Sequence, residues 1–472
     1  MKLHHHFAQL GNEFYAHCLI QPLAEQRLVE YNKALSSELG IDFSDDEVHK
    51  ILSGQEPVDQ SLSMVYAGHQ FGGFSPRLGD GRGVLLGEVK DQQGILHDLH
   101  VKGAGQTPFS RQGDGRAVLR SSIREYLASE AMYALGIPTS RALALYDSKQ
   151  VVYRERPESG ALLIRTAKSH VRFGHFEYFF AHKMYDQLQE LIDFTLDTYF
   201  SHHRDKPEPL KAMLIDIVQR TAHMIAKWQS VGFQHGVMNT DNFSVLGETI
   251  DYGPFGFMEN FNDKWICNHS DHEGRYAFHR QPGIGLWNLN CLMFAFSKHF
   301  SRDELIEVLK HYEPALQSHY DELMTEKLGL ASTDLLEPIL EKLFVVLRKE
   351  QLDFTTFFRL LSQIDPDQPE LLMDEVVDRK VMADWLDYYW SIRNDGRDQQ
   401  AVSQQMQKVN PKFVLRNYLA HEAIVAAESG NYLPFRQLLN VLNSPFEEHE
   451  ESNALAMQSP DWARHLEVSC SS

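Results

Sequence analysis

Two periodicities divide the chain. In the first third, short apolar runs alternate with glycine-rich polar stretches. Val84-Leu85-Leu86 and Leu99-His100-Val101 are two such runs, and RALALYD (141–147) and GALLIRTA (160–167) are two more. Runs of this length bounded by turn residues predict strands. Between them Leu119, Ile123, Tyr126, Leu127 and Ala134 recur with helical spacing, and Gly136 and Pro138 end that helix. From about residue 185 the helical period dominates. SRDELIEVLKHYEPALQSHYDELM (301–324) is the clearest case. Ser301 and Glu304 make a capping box. Leu305, Val308, Leu309, Tyr312, Leu316, Tyr320 and Leu323 form one apolar stripe, with Pro314 marking a kink or break. Residues 1–60 read as helix and loop without strong motifs.

This order, a small strand-rich unit followed by a larger helical one, predicts an α+β fold. A chain of 472 residues exceeds one ordinary core, so two or three packed units are expected. The expected divisions are 1–60, 61–160, 161–330 and 331–472, the last a helical region with little chemistry on show.

Charge narrows the function. The formal net charge is −20, which argues against a nucleic-acid or anionic-membrane binder. Any anion site must be a local basic patch. The first residues lack the pattern of a secretory signal, and no apolar stretch approaches the ~20 residues of a membrane span, so a cytoplasmic protein is expected. The His4–His6 run carries no assigned function. Four cysteines (Cys18, Cys267, Cys291 and Cys470) do not make a disulfide scaffold, but Cys470 stands third from the end, where a thiol would be accessible.

The stretch HGVMNTDNFSVLGETIDYGP (235–254) has the outline of a phosphotransfer loop. Asn242 follows His235 by seven positions, and Asp251 begins an Asp-Tyr-Gly. FSVLGETI between them can form a hairpin turning at Gly247-Glu248, which brings two oxygen ligands to one end. Hard divalent metals such as Mg²⁺ want such ligands beside phosphate. The position two after the His, an acid in kinases, is Val237, and Asp241 is the nearest replacement carboxylate. Lys102 ends a predicted strand, and Glu125 lies 23 residues on in the next helix. A Lys–Glu pair in this order before a metal loop is the second half of a kinase-type site.

Two acid-poor segments supply cations: Arg111, Arg116, Arg120 and Arg124 in one, and Arg165, Lys168 and Arg172 in the other. Arginine recognises phosphate oxygens in pairs. The tetrapeptide Gly-Asp-Gly-Arg occurs at 79–82 and 113–116, suggesting two similar turns that present backbone N–H groups. There is neither a kinase-type glycine loop before Lys102 nor a Walker signature. A rival metal reading uses Cys267, His269, His272 and His279, whose spacing fits no standard zinc pattern.

Taken together, YAGHQFGGFSPRLGDGRGVLLGE, KGAGQTPFSRQGDGRAVLRSSIREYLASEAM, RFGHFEYF, the 235–254 loop, ICNHSDHEGRYAF, VNPKFVLRNYLA and the terminal SCSS resemble the selenoprotein O family (SelO, also called YdiU) over nearly the whole chain. The resemblance implies a kinase-like two-lobed fold, with a strand-rich N-lobe (61–160), a helical C-lobe carrying the catalytic and metal loops (161–330) and a C-terminal helical extension. It implies transfer of AMP from inverted ATP to Ser, Thr or Tyr hydroxyls of proteins, with Mg²⁺ or Mn²⁺, and it allows UMP transfer from UTP with manganese. Position by position, Lys102 contacts phosphate and pairs with Glu125. Gly79, Gly81, Arg82, Asp114, Gly115, Arg165, Arg172 and Asp251 match nucleotide-binding positions. Asp241 matches the proton acceptor, and Asn242 and Asp251 match the metal ligands. Redox proteins are the expected substrates and a monomer the expected state. The resemblance also motivates a reversible Cys267–Cys470 disulfide tethering the tail near the site. The competing readings are a nucleotide-binding pseudokinase scaffold and a conventional kinase.

Overall fold

The computed structural model describes residues 1–393 and 395–469. In chain order its first strands are β1 (Tyr15–His17), β2 (Arg27–Tyr31), β3 (Leu62–Met64), β4 (Gly68–Gln70), β5 (Gly73–Ser75), β6 (Gly83–Lys90), β7 (Leu96–Lys102), β8 (Ala117–Val118), β9 (Arg141–Tyr153) and β10 (Pro157–Ala167). Eight of them form an antiparallel sheet in the order β1-β3-β6-β7-β10-β9-β2, with β8 also on β10, while β4 and β5 make a separate hairpin. Helices α1 (Lys33–Glu38), α2 (Asp46–Leu52) and α3 (Leu119–Ala134) flank the sheet.

The alternation within each strand decides what each helix covers. Val84, Leu86, Leu99, Val101, Leu162 and Ile164 pack with Leu35, Leu39, Val48 and Leu52 of α1 and α2. Leu85 and Leu163 join Leu119, Ile123 and Leu127 of α3 in the main core. Lys102 pairs with Leu163 on one side and Gly83 on the other, and His100 pairs with Arg165 and Leu85. Residues directly opposite in a ladder share a face, so Lys102, His100 and Arg165 all stand on the α3 side. A one-residue slip of β7 would turn the cations to the far face.

All four predicted strands and the predicted α3 are present. The N-terminal sixty residues are more than helix and loop, because β1 and β2 form the two ends of the sheet path. Neither shows a clean alternation, since an end strand draws order from its one neighbour. The histidine run is structural: His4 bridges to Glu88, and the His6 and Phe7 N–H groups donate to the Glu88 carboxylate (2.8 and 3.1 Å). The expected division at 160/161 runs through the middle of β10.

After β10 the chain is mainly helical: α4 (Phe173–Ala181), α5 (Tyr185–Tyr199), α6 (Pro209–Ser230), α7 (Gln281–Ala295), α8 (Arg302–Leu309) and α9 (Tyr312–Lys327). The Ser301–Glu304 capping box forms. The break in the predicted long helix falls at Lys310-His311, and Pro314 sits in the first turn of α9, where its missing N–H costs nothing. A second apolar cluster around Ile339, Leu343, Phe358, Met382 and Tyr389 holds the helices of residues 336–406 together, while Tyr418, Leu419, Phe435 and Leu438 return to the main core. Among the described residues no helix is long and apolar enough to cross a membrane.

Candidate active site

A short antiparallel pair, β11 (Phe233–Gln234) and β12 (Gly256–Phe257), clamps the two ends of the 235–255 loop. His235 fastens the inside of that loop. Its N–H donates to Gln281 Oε1 (3.0 Å), and its Nε2 lies 3.0 Å from the Ile250 carbonyl. The expected hairpin forms, with Phe243 bridged to Thr249 and Gly247 turning at φ +67°. Asn242 Nδ2 donates to the Val237 carbonyl (3.0 Å), which leaves the amide oxygen for other partners. Asp251 is held at φ +58°, a left-handed conformation that few non-glycine residues adopt.

This loop forms one wall of a cavity of about 830 Å³ whose other wall is the glycine-rich region of β6, β7 and the 105–116 loop. Every residue that the family resemblance assigns to the site lines it except Glu125, which stands directly behind on α3. Glu125 accepts from Lys102 Nζ and from Arg165 Nη1 (2.9 Å). The Asp251 carboxylate gathers three cations: Arg165 Nη1, Arg172 Nη1 at 2.6 Å and Lys102 Nζ at 3.6 Å. Burial opposes its charge, but Arg165, Arg172 and Lys102 outweigh burial and hold it well below the usual carboxylate range. Burial in turn pulls the Lys102 ammonium down, against Glu125 and Asp251.

Asp241 has the opposite balance. It lies on the single turn Thr240–Asn242 and is almost wholly buried. Gln70 Nε2 donates to Oδ2 (3.2 Å), while Oδ1 has no hydrogen-bond partner among the described residues. Burial pushes this carboxyl up to about 6, the Arg172 charge offsetting only part of it. Arg172 is fixed from three sides: by Asp251, by the Asp241 carbonyl (2.7 Å) and by the Tyr66 ring 4.7 Å below its guanidinium.

The cavity lining includes seven Lys or Arg against four Asp, so it is a basic chamber inside an acidic protein. Arg82 and Arg111 make no ion pair among the described residues, whereas Arg154 is held by Asp114 (2.8 Å). The two Gly-Asp-Gly-Arg turns both line the cavity but are built differently. Gly79 turns at φ +101°, and a Cβ there would meet Phe109 at 2.6 Å; Asp80 points inward and accepts from Met64 N–H at 3.0 Å. Gly115 turns at φ +69° against the Gly105 carbonyl, and Asp114 faces Arg154.

Not every expected cation converges here. Arg120 pairs with Glu158 (2.8 Å), Arg124 lies 4.5 Å over the Phe255 ring and donates to the Phe255 carbonyl, and Lys168 is exposed. The Cys267, His269, His272 and His279 set does not come together among the described residues. Cys267 Sγ turns to the Pro254 carbonyl (2.8 Å), and His279 Nδ1 lies 2.9 Å from the Asp263 carbonyl. Val468 accepts from the His269 N–H (2.8 Å), which places the tail beside this segment; Cys470 itself, and with it the expected disulfide, lies outside the described residues. Sequence reasoning missed Tyr66, Gln70, Asp80 and Arg154. The dense GHQFGG segment around Gln70 was the available signal.

A family model described as protein adenylyltransferase SelO matches residues 1–443. A protein nucleotidyltransferase YdiU of Marinomonas sp. (strain MWYL1) is 62% identical over all of both chains. Proteins of the same name from Vibrio vulnificus (strain YJ016) and Pseudomonas fluorescens (strain SBW25) are 46% and 47% identical, each covering at least 98% of both chains.

Proposed function

The chain belongs to the protein adenylyltransferase SelO family, and on that premise we propose that it transfers AMP from ATP to hydroxyl groups of proteins, releasing pyrophosphate. The observation that carries this reading is the convergence of Lys102, Arg165 and Arg172 on Asp251 inside a cavity with further free cations. Such a chamber suits a polyphosphate better than any neutral ligand.

In the proposed mechanism Asp241 takes the proton of the attacking Ser, Thr or Tyr hydroxyl. Its carboxyl is poised near 6, and the residue lines the cavity. Arg165 and Lys102, braced by Glu125, hold the phosphate chain in place. Arg82, Arg111 and Arg116 offset charge on the departing pyrophosphate at the outer end, as expected for inverted ATP.

The residues present fit a divalent metal. Asn242 keeps its amide oxygen free of the bond to Val237, and Asp251 supplies a carboxylate, a hard-oxygen pair of the number Mg²⁺ or Mn²⁺ draws from protein beside phosphate. When bound, the metal supplies charge stabilisation at the reacting phosphate. UMP transfer from UTP with manganese belongs to the same reading. So do a kinase-like arrangement, with the sheet and α3 as the smaller lobe and the helices from α4 onward as the larger, and a monomeric cytoplasmic enzyme acting on redox proteins.

The deciding experiment gives the enzyme ATP labelled at α in one tube and at γ in another, with magnesium. Label on protein from α alone is the expected result. Label from γ alone would make the protein a conventional kinase, and ATP binding without label from either would make it a scaffold.

A further inference from the structure

Behind the catalytic loop, three side chains from three separate elements meet: His69 on β4, Glu177 on α4 and Cys291 on α7. Their ligand atoms all lie within 4.8 Å of one another. His69 Nδ1 is 2.5 Å from Glu177 Oε1, and the Cys291 thiol has no hydrogen-bond partner among the described residues. They stand at the edge of a second cavity of about 440 Å³, whose remaining lining is mostly apolar: Phe74, Phe180, Phe294 and two alanines beside Asn290. None of the three takes part in the chemistry proposed for the main cavity.

We propose that His69, Glu177 and Cys291 bind one Zn²⁺-class ion, with its fourth position open to this second cavity. The donor set is one imidazole, one carboxylate and one thiol. Mg²⁺ and Ca²⁺ want oxygen alone, whereas nitrogen and sulfur donors select zinc and its neighbours. Three protein ligands and an open position match the usual zinc pattern. Ligand atoms around tetrahedral zinc stand about 3.3–3.8 Å apart, so His69 and Glu177 separate slightly and Cys291 closes by roughly an ångström. Rotamer adjustments supply shifts of that size.

The surroundings already orient the donors. The His69 ring is wedged between Phe74 (4.9 Å) and Trp287 (5.3 Å), and its backbone N–H donates to Thr240 Oγ1 (2.7 Å). Glu177 Oε2 accepts from the Thr240 hydroxyl, leaving Oε1 for the metal. Such outer partners fix ligand geometry. Burial pushes the Cys291 thiol up to about 12, so the metal-free site holds a neutral thiol. Ligation then replaces the S–H bond with a sulfur–metal bond and releases one proton to solvent, which makes affinity rise with pH. The ion would tie β4 to α4 and α7. β4 carries Gly68 and Gln70, both against the Asp241 carboxylate, so occupancy stiffens the support of the catalytic base.

The test uses the full chain, stripped of metal and titrated with Co²⁺ in the presence of excess Mg²⁺. The expected result is one cobalt per chain, with sulfur-to-cobalt charge-transfer absorption in the near ultraviolet. Cys291→Ser, an isosteric change, should lose that absorption and weaken binding by about a hundredfold or more while keeping a wild-type near-ultraviolet dichroism spectrum. Glu177→Gln should weaken binding at least about tenfold with the sulfur band retained at saturation. Cys18→Ser, Cys267→Ser and Cys470→Ser should leave the band in place. Zn²⁺ should raise the melting temperature of the wild type and not of Cys291→Ser. Wild-type protein that shows no sulfur band at saturating cobalt, or a band that survives Cys291→Ser, overturns the assignment.

Discussion

Gly68 faces the Asp241 carboxylate so closely that a Cβ at position 68 would lie 2.5 Å from Oδ1 and 2.8 Å from the Asp241 Cβ. Gly68 does not line the main cavity, and its contact with the proposed base is steric alone. Gly68→Ala should therefore push Asp241 out of position without touching the nucleotide site. The expected loss is about a hundredfold in α-label transfer, the scale of an ångström's misplacement. ATP should still raise the melting temperature as in the wild type. Unchanged transfer would remove Asp241 from the mechanism.

The same carboxylate predicts a pH profile. A base poised near 6 is protonated below that value, so transfer should rise with pH through about 6 and level off above it. Asp241→Asn should cut transfer by about 10²–10⁴-fold and abolish that limb. A rate flat from about pH 5 to 8 in the wild type would count against the assignment.

Asp241 also carries a stability cost of opposite sign to most carboxylates. Its folded value is raised to about 6, above the ~4 of an exposed Asp, so between those values the folded state binds more protons than the unfolded one. Stability from this group is lost as pH rises through that window and stays lost above it. Asp241→Asn should then stabilise the protein by on the order of 2 kcal/mol near pH 8 and by almost nothing near pH 4, read from denaturant melts.

Asp251→Ala should abolish α-label transfer, and activity that survives it overturns the site. It also strips the shared anion from Arg165 and Arg172, both almost wholly buried. Arg165 keeps Glu125, but Arg172 loses its carboxylate partner, and a buried cation left so should cost about 3–5 kcal/mol. Inorganic pyrophosphate should restore part of that loss in a thermal melt, because it supplies negative charge to the same cations.

Arg172→Lys keeps the charge and loses the planar fork. Nη1 alone donates to Asp251 and to the Asp241 carbonyl while the guanidinium plane lies over Tyr66; the shorter Lys must bring its one nitrogen to the Nη1 position and gives up the planar contact with the ring. Transfer should fall by about tenfold or more and stability by about 1–3 kcal/mol. A variant indistinguishable from wild type would mean that the three contacts are not what fixes the loop.

The parts of the site legible in the sequence were those fixed by covalent spacing. Asn242 and Asp251 are joined by one hairpin, and Lys102 and Glu125 by one strand-to-helix step, so their separations survive folding. Arg165 was legible as a member of a basic segment, but its register opposite His100 was not. Arg120 and Arg124 carry the same charge and sit on the same helix, yet they turn to Glu158 and to the Phe255 ring. Helical phase, which charge counting ignores, separates them from the cavity. Gln70 and Asp80 were missed because their roles are created by long-range contacts, to Asp241 and to His100. The short strands Tyr15–His17 and Arg27–Tyr31 were missed for a similar reason: their partners lie elsewhere in the chain.

That last feature bears on how the protein is made. β2 emerges early from the ribosome but pairs with β9, more than a hundred residues later. Its surroundings close later still: Arg436 donates to Glu30 and to the Val29 carbonyl, and Tyr432 donates to the Asp147 carboxylate that also holds Arg27. The Arg27–Tyr31 edge of the sheet therefore waits for side chains made about 400 residues later. Until residues 432–436 have been made, the outer side of this edge strand lacks these partners and is open to improper pairing, a stage at which a chaperone would protect the chain.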